Sequence, residues 1–155
     1  MSEAKLQLHS FFPYRLSVLN ATVSETIAQL YTGRFQLTPQ AWRILAVLGE
    51  HGVLSAKEAA EMTRMEKMQV SRAISFLKEH SLATQATDPQ DRRVSRVRLT
   101  PAGIKLYQQI IPLVTEREHQ LLSVLDAAEQ TQLLSLMQRI EARAQEVAQQ
   151  TTENV

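Results

Sequence analysis

Apolar side chains between residues 11 and 32 fall at Leu16, Leu19, Val23, Ile27 and Leu30, which is close to the spacing of one helix face. Pro13 fits a first turn, and Gly33 is expected to stop this helix. The next period begins in LTPQAWRILAVL. Thr38 is a natural N-cap, and Pro39 fits the first helical position, where a missing N–H costs nothing. Trp42, Leu45 and Leu48 then share a face, and Gly49 or Gly52 closes the element. Ser55 followed by Glu58 reads as a capping box, with Leu54 placed as a hydrophobic staple, so a helix of about two turns is expected. Beyond a turn near Arg64, Val70, Ile74 and Leu77 predict a helix over 67–80.

After Leu82 the period changes. ATQAT reads as a short strand, and in VSRVRL Ser95, Val97 and Leu99 alternate with Val94, Arg96 and Arg98. The proline and aspartates of TDPQDRR form the turn between them. Thr100-Pro101 repeats the cap of 38–39 and opens a helix to about 124, with a kink expected at Pro112. Asp126 caps a last helix in which Leu133, Met137, Ile140, Ala144 and Val147 recur at the average spacing of a coiled-coil seam. The closing TTENV is read as frayed.

Two helices joined by a tight turn, the second basic, followed by a hairpin, make a winged helix-turn-helix. The fold expected is mostly α, with a two-stranded β wing and helices at both ends for dimerisation. It divides into an N-terminal dimerisation helix (1–34), the winged unit (35–100) and C-terminal dimerisation helices (101–155). The apolar faces of the first and last helices exceed what the middle can cover, and a second copy buries them most simply.

Charge sharpens this picture. The net charge of the 155 residues is +1. Residues 1–63 balance, 64–105 hold nine Lys/Arg against four Asp/Glu, and 106–155 hold three against seven. A basic middle beside an acidic end suggests one polyanion-binding face. The absence of cysteine excludes disulfides, thiolate metal sites and thiol redox switching. The four histidines are scattered without metal-ligand spacing, so neither a metal nor a cofactor is expected. No apolar run approaches membrane-spanning length and no secretion signal is apparent, so a cytoplasmic protein is expected. Ser75 to Lys78 spells SxxK, but the companion motifs of that enzyme class are missing, as are phosphate-binding glycine loops; no enzyme is expected.

The charged stretch TDPQDRRVSRVRLTPAG then acquires a purpose. A slim hairpin tip carrying Arg92 and Arg93 suits a DNA minor groove, where guanidinium meets concentrated negative potential. Asp91 is expected to pair with Arg93 and fix its direction, while Arg96 and Arg98 are expected along the phosphate backbone. On helix 67–80, Lys67, Met68, Gln69, Ser71 and Arg72 are the residue types that read base edges in a major groove, with Ser75 in reach of a phosphate. Ser55 and Lys57 are further phosphate candidates at a helix N-terminus. A solvated charged turn and an ordinary amphipathic helix are the plainer readings of the same residues.

LTPQAWRILAVL, LSAKEAAEMTRMEKMQVSRAISFLKEHSL and DPQDRRVSRVRLTPAG together resemble the MarR family of bacterial winged-helix transcription regulators. The wing signature is matched by Asp91, Arg93, Leu99, Thr100 and Gly103. The resemblance implies an obligate homodimer with first and last helices intertwined, reading a palindrome in double-stranded DNA. It implies that Arg93 enters the minor groove with Asp91 orienting it. Repression is the commoner outcome in that family, and many members release DNA on binding small aromatic acids or phenols. For such an effector, Arg15 suits a carboxylate, Phe12, Tyr14 and Trp42 suit apolar walls, and His9 a polar partner. Core or interface packing for Tyr14 and Trp42, and an ion pair for Arg15, are the plainer alternatives. A winged-helix protein-interaction module without sequence-specific DNA binding is the rival function.

Overall fold

A computed structural model describes residues 5–153, with side chains to residue 150. Of the TTENV expected to fray, residues 151–153 continue the last helix, and 154–155 lie outside the described residues. The order is α1 (Phe12–Phe35), α2 (Pro39–His51), β1 (Leu54–Ser55), α3 (Ala56–Thr63), α4 (Lys67–Glu79), β2 (Ala83–Thr87), β3 (Ser95–Leu99), α5 (Pro101–Leu122) and α6 (Ala127–Glu153), after one 3-10 turn at Leu8–Ser10. The fold is mostly α, with a winged helix-turn-helix in α2 to β3. Two compact units result, one to Arg117 and one from Glu118.

The capping chemistry explains where most helices begin. Thr38 Oγ1 accepts the Ala41 N–H at 3.1 Å. Ser55 Oγ accepts the Glu58 N–H at 3.1 Å, and Glu58 Oε2 accepts the Ser55 N–H at 2.7 Å, closing the capping box. Asp126 and Glu129 form the same reciprocal pair ahead of α6, at 2.8 and 2.9 Å.

Two local expectations are corrected. Helix α1 runs through Gly33 and ends in a left-handed residue at Gln36, φ 54°. The Leu37 N–H reaches back to the Tyr31 carbonyl at 3.1 Å, and Tyr31 and Leu37 are both buried. Burying Leu37 fixes the closure there and outweighs the stop preference of an exposed glycine. The wing also has a third strand: the sheet is antiparallel in the order β1-β3-β2, with Leu54 opposite Val97 and Ser55 opposite Arg96. A two-residue strand has no period to detect, which is why Leu54 reads only as a staple in the sequence.

The core lies within the first unit. Ile44 and Leu45 from α2, Val70 and Leu77 from α4, Val97 from β3 and Ile110 from α5 are almost fully enclosed. Each such side chain contributes about 1.5–3 kcal/mol through lost water contact. Trp42 stacks on Tyr31 at 5.4 Å between ring centroids, joining α1 to α2. By contrast, α1 buries only Tyr31, and α6 buries none of its described side chains. Leu16, Leu19, Leu134, Met137 and Ile140 stay exposed.

The end of the wing is locked by LTPAG. Thr100 Oγ1 donates to the Ser81 carbonyl at 2.7 Å and accepts the Gly103 N–H at 3.0 Å, while the Thr100 N–H donates to the Leu82 carbonyl at 3.0 Å. A Cβ on Gly103 would lie 2.0 Å from that Leu82 oxygen. Glycine is required here by close backbone approach. Gly103→Ala is therefore expected to lower stability by about 1–3 kcal/mol through overpacking. Gly33→Ala, in a helix interior with nothing within 4 Å of the added Cβ, is expected to raise it by about 0.5–1 kcal/mol. Denaturant melts of both variants check this opposition of sign.

Candidate nucleic-acid interface

Helix α3 begins beside strand β1, and its first turn exposes Lys57 next to the capping box. Arg64 takes the left-handed conformation at φ 55° and turns the chain into α4. One face of α4 is anchored by Val70, Ala73, Ile74 and Leu77. The remaining positions Lys67, Met68, Gln69, Ser71, Arg72 and Ser75 are all exposed. The amphipathic period of α4 thus presents every residue of the expected reading set to solvent. Gln69 also has a local task, its Oε1 accepting the Glu66 N–H at 3.2 Å, so only its amide NH₂ end stays free of that bond. Gln69 and Arg72 border a groove of about 370 Å³ with Thr38 and Gln40. Gln40, at the start of α2, was not singled out by sequence, because the sequence does not show that α2 begins beside α4.

The wing turn is built by its aspartates. The Asp88 N–H donates to the Val94 carbonyl at 2.8 Å, and Asp88 Oδ1 accepts the Gln90 N–H at 2.8 Å. Asp91 holds Arg93 three ways: Oδ1 accepts its backbone N–H at 3.0 Å and its Nε–H at 3.1 Å, and Oδ2 accepts Nη2 at 3.3 Å. The Arg93 side chain is 91% exposed, so the aspartate aims the guanidinium without hiding it. Arg92 beside it is exposed as well.

Arg96 and Arg98 do not share one situation. Arg98 is exposed and borders a cavity of about 470 Å³ with Val53, Ile104 and Tyr107, near the α5 end of β3. Arg96 is half-buried. Its Nε–H donates to Asp88 Oδ2 at 2.7 Å, and its Nη1 donates to Glu58 Oε2 at 2.7 Å. Both of the donors it uses face carboxylates of its own chain.

These contacts hold three carboxyls below their ordinary range. Asp91 is lowered chiefly by the Arg93 side chain, Asp88 chiefly by Arg96, and Glu58 chiefly by the Ser55 N–H and hydroxyl, with Arg96 adding to it. A carboxyl lowered on folding stabilises the fold fully above its unfolded pKa and loses that contribution as pH falls through the folded value. The wing turn should accordingly keep its amide-exchange protection from about pH 8 to about pH 5 and lose it only in more acid solution, below the ordinary carboxylate range. Loss of protection near neutrality would contradict this assignment.

The expected effector residues are not brought together. Trp42 borders a cavity of about 300 Å³ with Ile27, Tyr31, Pro39 and Arg43. His9 in the 3-10 turn and Phe12, Tyr14 and Arg15 at the start of α1 are exposed and do not border that cavity. Tyr31 and Arg43 were missed because the sequence shows neither which face of α1 meets α2 nor where a void remains. Among the described residues no cluster of His, Cys, Asp and Glu has the form of a metal site, and no helix is long and apolar enough to cross a membrane.

The model of the MarR family matches residues 35–94, which run from the end of α1 to the wing turn just described. Over these residues the chain is similar to the MarR family. A MarR/EmrR family regulator of Acinetobacter sp. ADP1 superposes with a TM-score of 0.83 at 24% identity, covering 91% of this chain and 99% of that one. BpsR of Bordetella bronchiseptica, whose structure concerns regulation of DNA binding by 6-hydroxynicotinic acid, gives a TM-score of 0.80 at 22% identity, covering 89% and 98%. In sequence, the transcriptional repressor IacR of Pseudomonas putida is 26% identical over 106 residues, which is 68% of this chain. The match spans 63% of that relative's length.

Proposed function

We propose that this chain is a MarR-family double-stranded DNA-binding transcription regulator. It acts as a homodimer on a palindromic operator and represses transcription, as the similarity to a repressor suggests. The observation that carries the reading is Arg93: a guanidinium almost wholly exposed at the wing, yet directed by two oxygens of Asp91. Fixing a long side chain in advance lowers the entropy lost on docking, which suits insertion into a narrow groove. The exposed Lys67, Met68, Gln69 and Arg72 of α4 read base edges, and Lys57 meets a phosphate. The apolar faces left open on α1 and on α6 support a second copy as partner.

Arg93→Ala is expected to weaken binding to the selected operator by about 1–3 kcal/mol across sequences, whereas Gln69→Ala changes base preference at one position of each half-site. Titration of a fluorescent duplex against a substituted-site series reads both. Wild-type affinity should fall with salt at a log–log slope of several units. A flat salt response would favour a protein-interaction module.

The cavity beside Trp42 supports a small aromatic acid or phenol as effector, with Tyr31 and Trp42 as aromatic walls and Arg43 for the carboxylate. Trp42 is the chain's sole tryptophan, so its fluorescence reports binding directly. Addition of 6-hydroxynicotinate or a related acid should perturb that emission and release the duplex, and Arg43→Ala should weaken both effects by about tenfold. Unchanged emission across a panel of such acids and phenols would remove the effector from the account.

A further inference from the structure

The exposed wing arginines leave one question open: what holds a two-stranded ribbon at a fixed angle to the helices? Arg96 spans the two parts. Its position on β3 lies opposite Ser55 of β1, so its side chain emerges beside the first turn of α3. From there one guanidinium reaches Glu58 through Nη1 and Asp88 through Nε, each at 2.7 Å. Neither carboxylate group is otherwise idle in the fold. Glu58 Oε2 also takes the Ser55 N–H, and the other Asp88 oxygen takes the Gln90 N–H. A continuous chain of charge-assisted bonds therefore runs from the α3 cap, through Arg96, to the backbone of the wing turn. The Asp88 side chain is only 13% exposed and that of Arg96 38%, so water competes less for the Asp88–Arg96 link than for the Asp91–Arg93 pair; Glu58, at 43%, is as open as Asp91.

We propose that Arg96 is a positioning residue: it clamps the wing turn to the N-terminus of α3 and so fixes where Arg93 lies relative to the reading helix. It makes no phosphate contact of its own, and this corrects the expectation that it lies along the phosphate backbone. The inference rests on the DNA-binding reading. It assigns the opposite sign of effect to the two carboxylates from the one simple electrostatics gives. Removing a negative charge near bound DNA should ordinarily tighten binding. Here, removing either carboxylate releases the wing and weakens it.

Four variants test this by duplex titration over a range of salt. Glu58→Gln loses the charge, yet glutamine still completes a capping box. Asp88→Asn keeps an oxygen for the Gln90 N–H. Arg96→Lys keeps the positive charge, but a single ammonium cannot reach two carboxylates from separate nitrogens as the planar fork does. Arg96→Gln removes the charge. All four should weaken operator binding by on the order of tenfold, with the salt slope unchanged. Amide exchange over 88–94 should quicken in each while the thermal midpoint of the core stays put. Combining Glu58→Gln with Arg96→Gln should cost no more than Arg96→Gln alone. The proposal is overturned if Glu58→Gln and Asp88→Asn bind more tightly, if Arg96→Lys binds like wild type, or if Arg96→Gln lowers the salt slope by about one, as loss of a phosphate contact would. A wild-type protein that binds no duplex would instead sink the DNA-binding reading itself, and this inference with it.

Discussion

A two-stranded hairpin has no core and is barely stable alone in water. The wing of this protein therefore exists only because other parts of the chain hold its outline. Two devices do so. At its base, Val97 and Leu99 turn inward, and Thr100 and Gly103 bind the strand end to the turn after α4. Toward its tip no side chain is fully buried, and carboxylates take over. Asp88 and Glu58 engage Arg96, and Asp91 engages Arg93. The answer to why charge is so concentrated between residues 87 and 98 is that the turn must be both highly basic and internally braced. Each anion there neutralises a neighbour and supplies a geometry.

The braces differ in kind, and the difference follows from exposure. Arg93 is tethered by its own neighbour two residues away, so the pair moves with the tip and leaves the guanidinium in water. Arg96 is tethered across 38 residues of sequence to Glu58. That link joins separate elements and so transmits position. A short third strand, β1, brings the two ends within reach of each other. The same logic of local and non-local restraint explains the glycines. Gly103 allows two backbones to touch, whereas Gly33 sits in open space within a helix that continues past it.

Local chemistry in the sequence was enough to place the helices. Thr38-Pro39, the Ser55–Glu58 box and the Val70, Ile74, Leu77 repeat are each read within a few residues, and each has its partner nearby. The alternation in VSRVRL likewise tells which residues of β3 face inward. What could not be read required knowing which distant segments meet. The strand at Leu54 is too short to carry a period. The end of α1 at Gln36 depends on Leu37 finding the core. Arg96 looks like three other arginines until Glu58 is brought beside it. The aromatic cluster near the N-terminus appeared suited to a ligand, but Trp42 instead meets Tyr31, and Phe12, Tyr14 and Arg15 remain exposed. Whether they are covered by a second copy is a matter of assembly that one chain's period does not encode.

The central claim is that two copies of the chain present two braced wings to the minor groove of one duplex. The absence of native cysteine allows a direct measurement. Arg92→Cys, carrying a tethered iron chelate that generates hydroxyl radicals, marks the wing tip without touching Arg93. On a selected operator the account predicts two cleavage patches, symmetric about the operator centre, each offset between strands toward the 3′ side as minor-groove proximity requires. Cleavage no stronger than that from free chelate, or a single patch on one side of the operator, would contradict it.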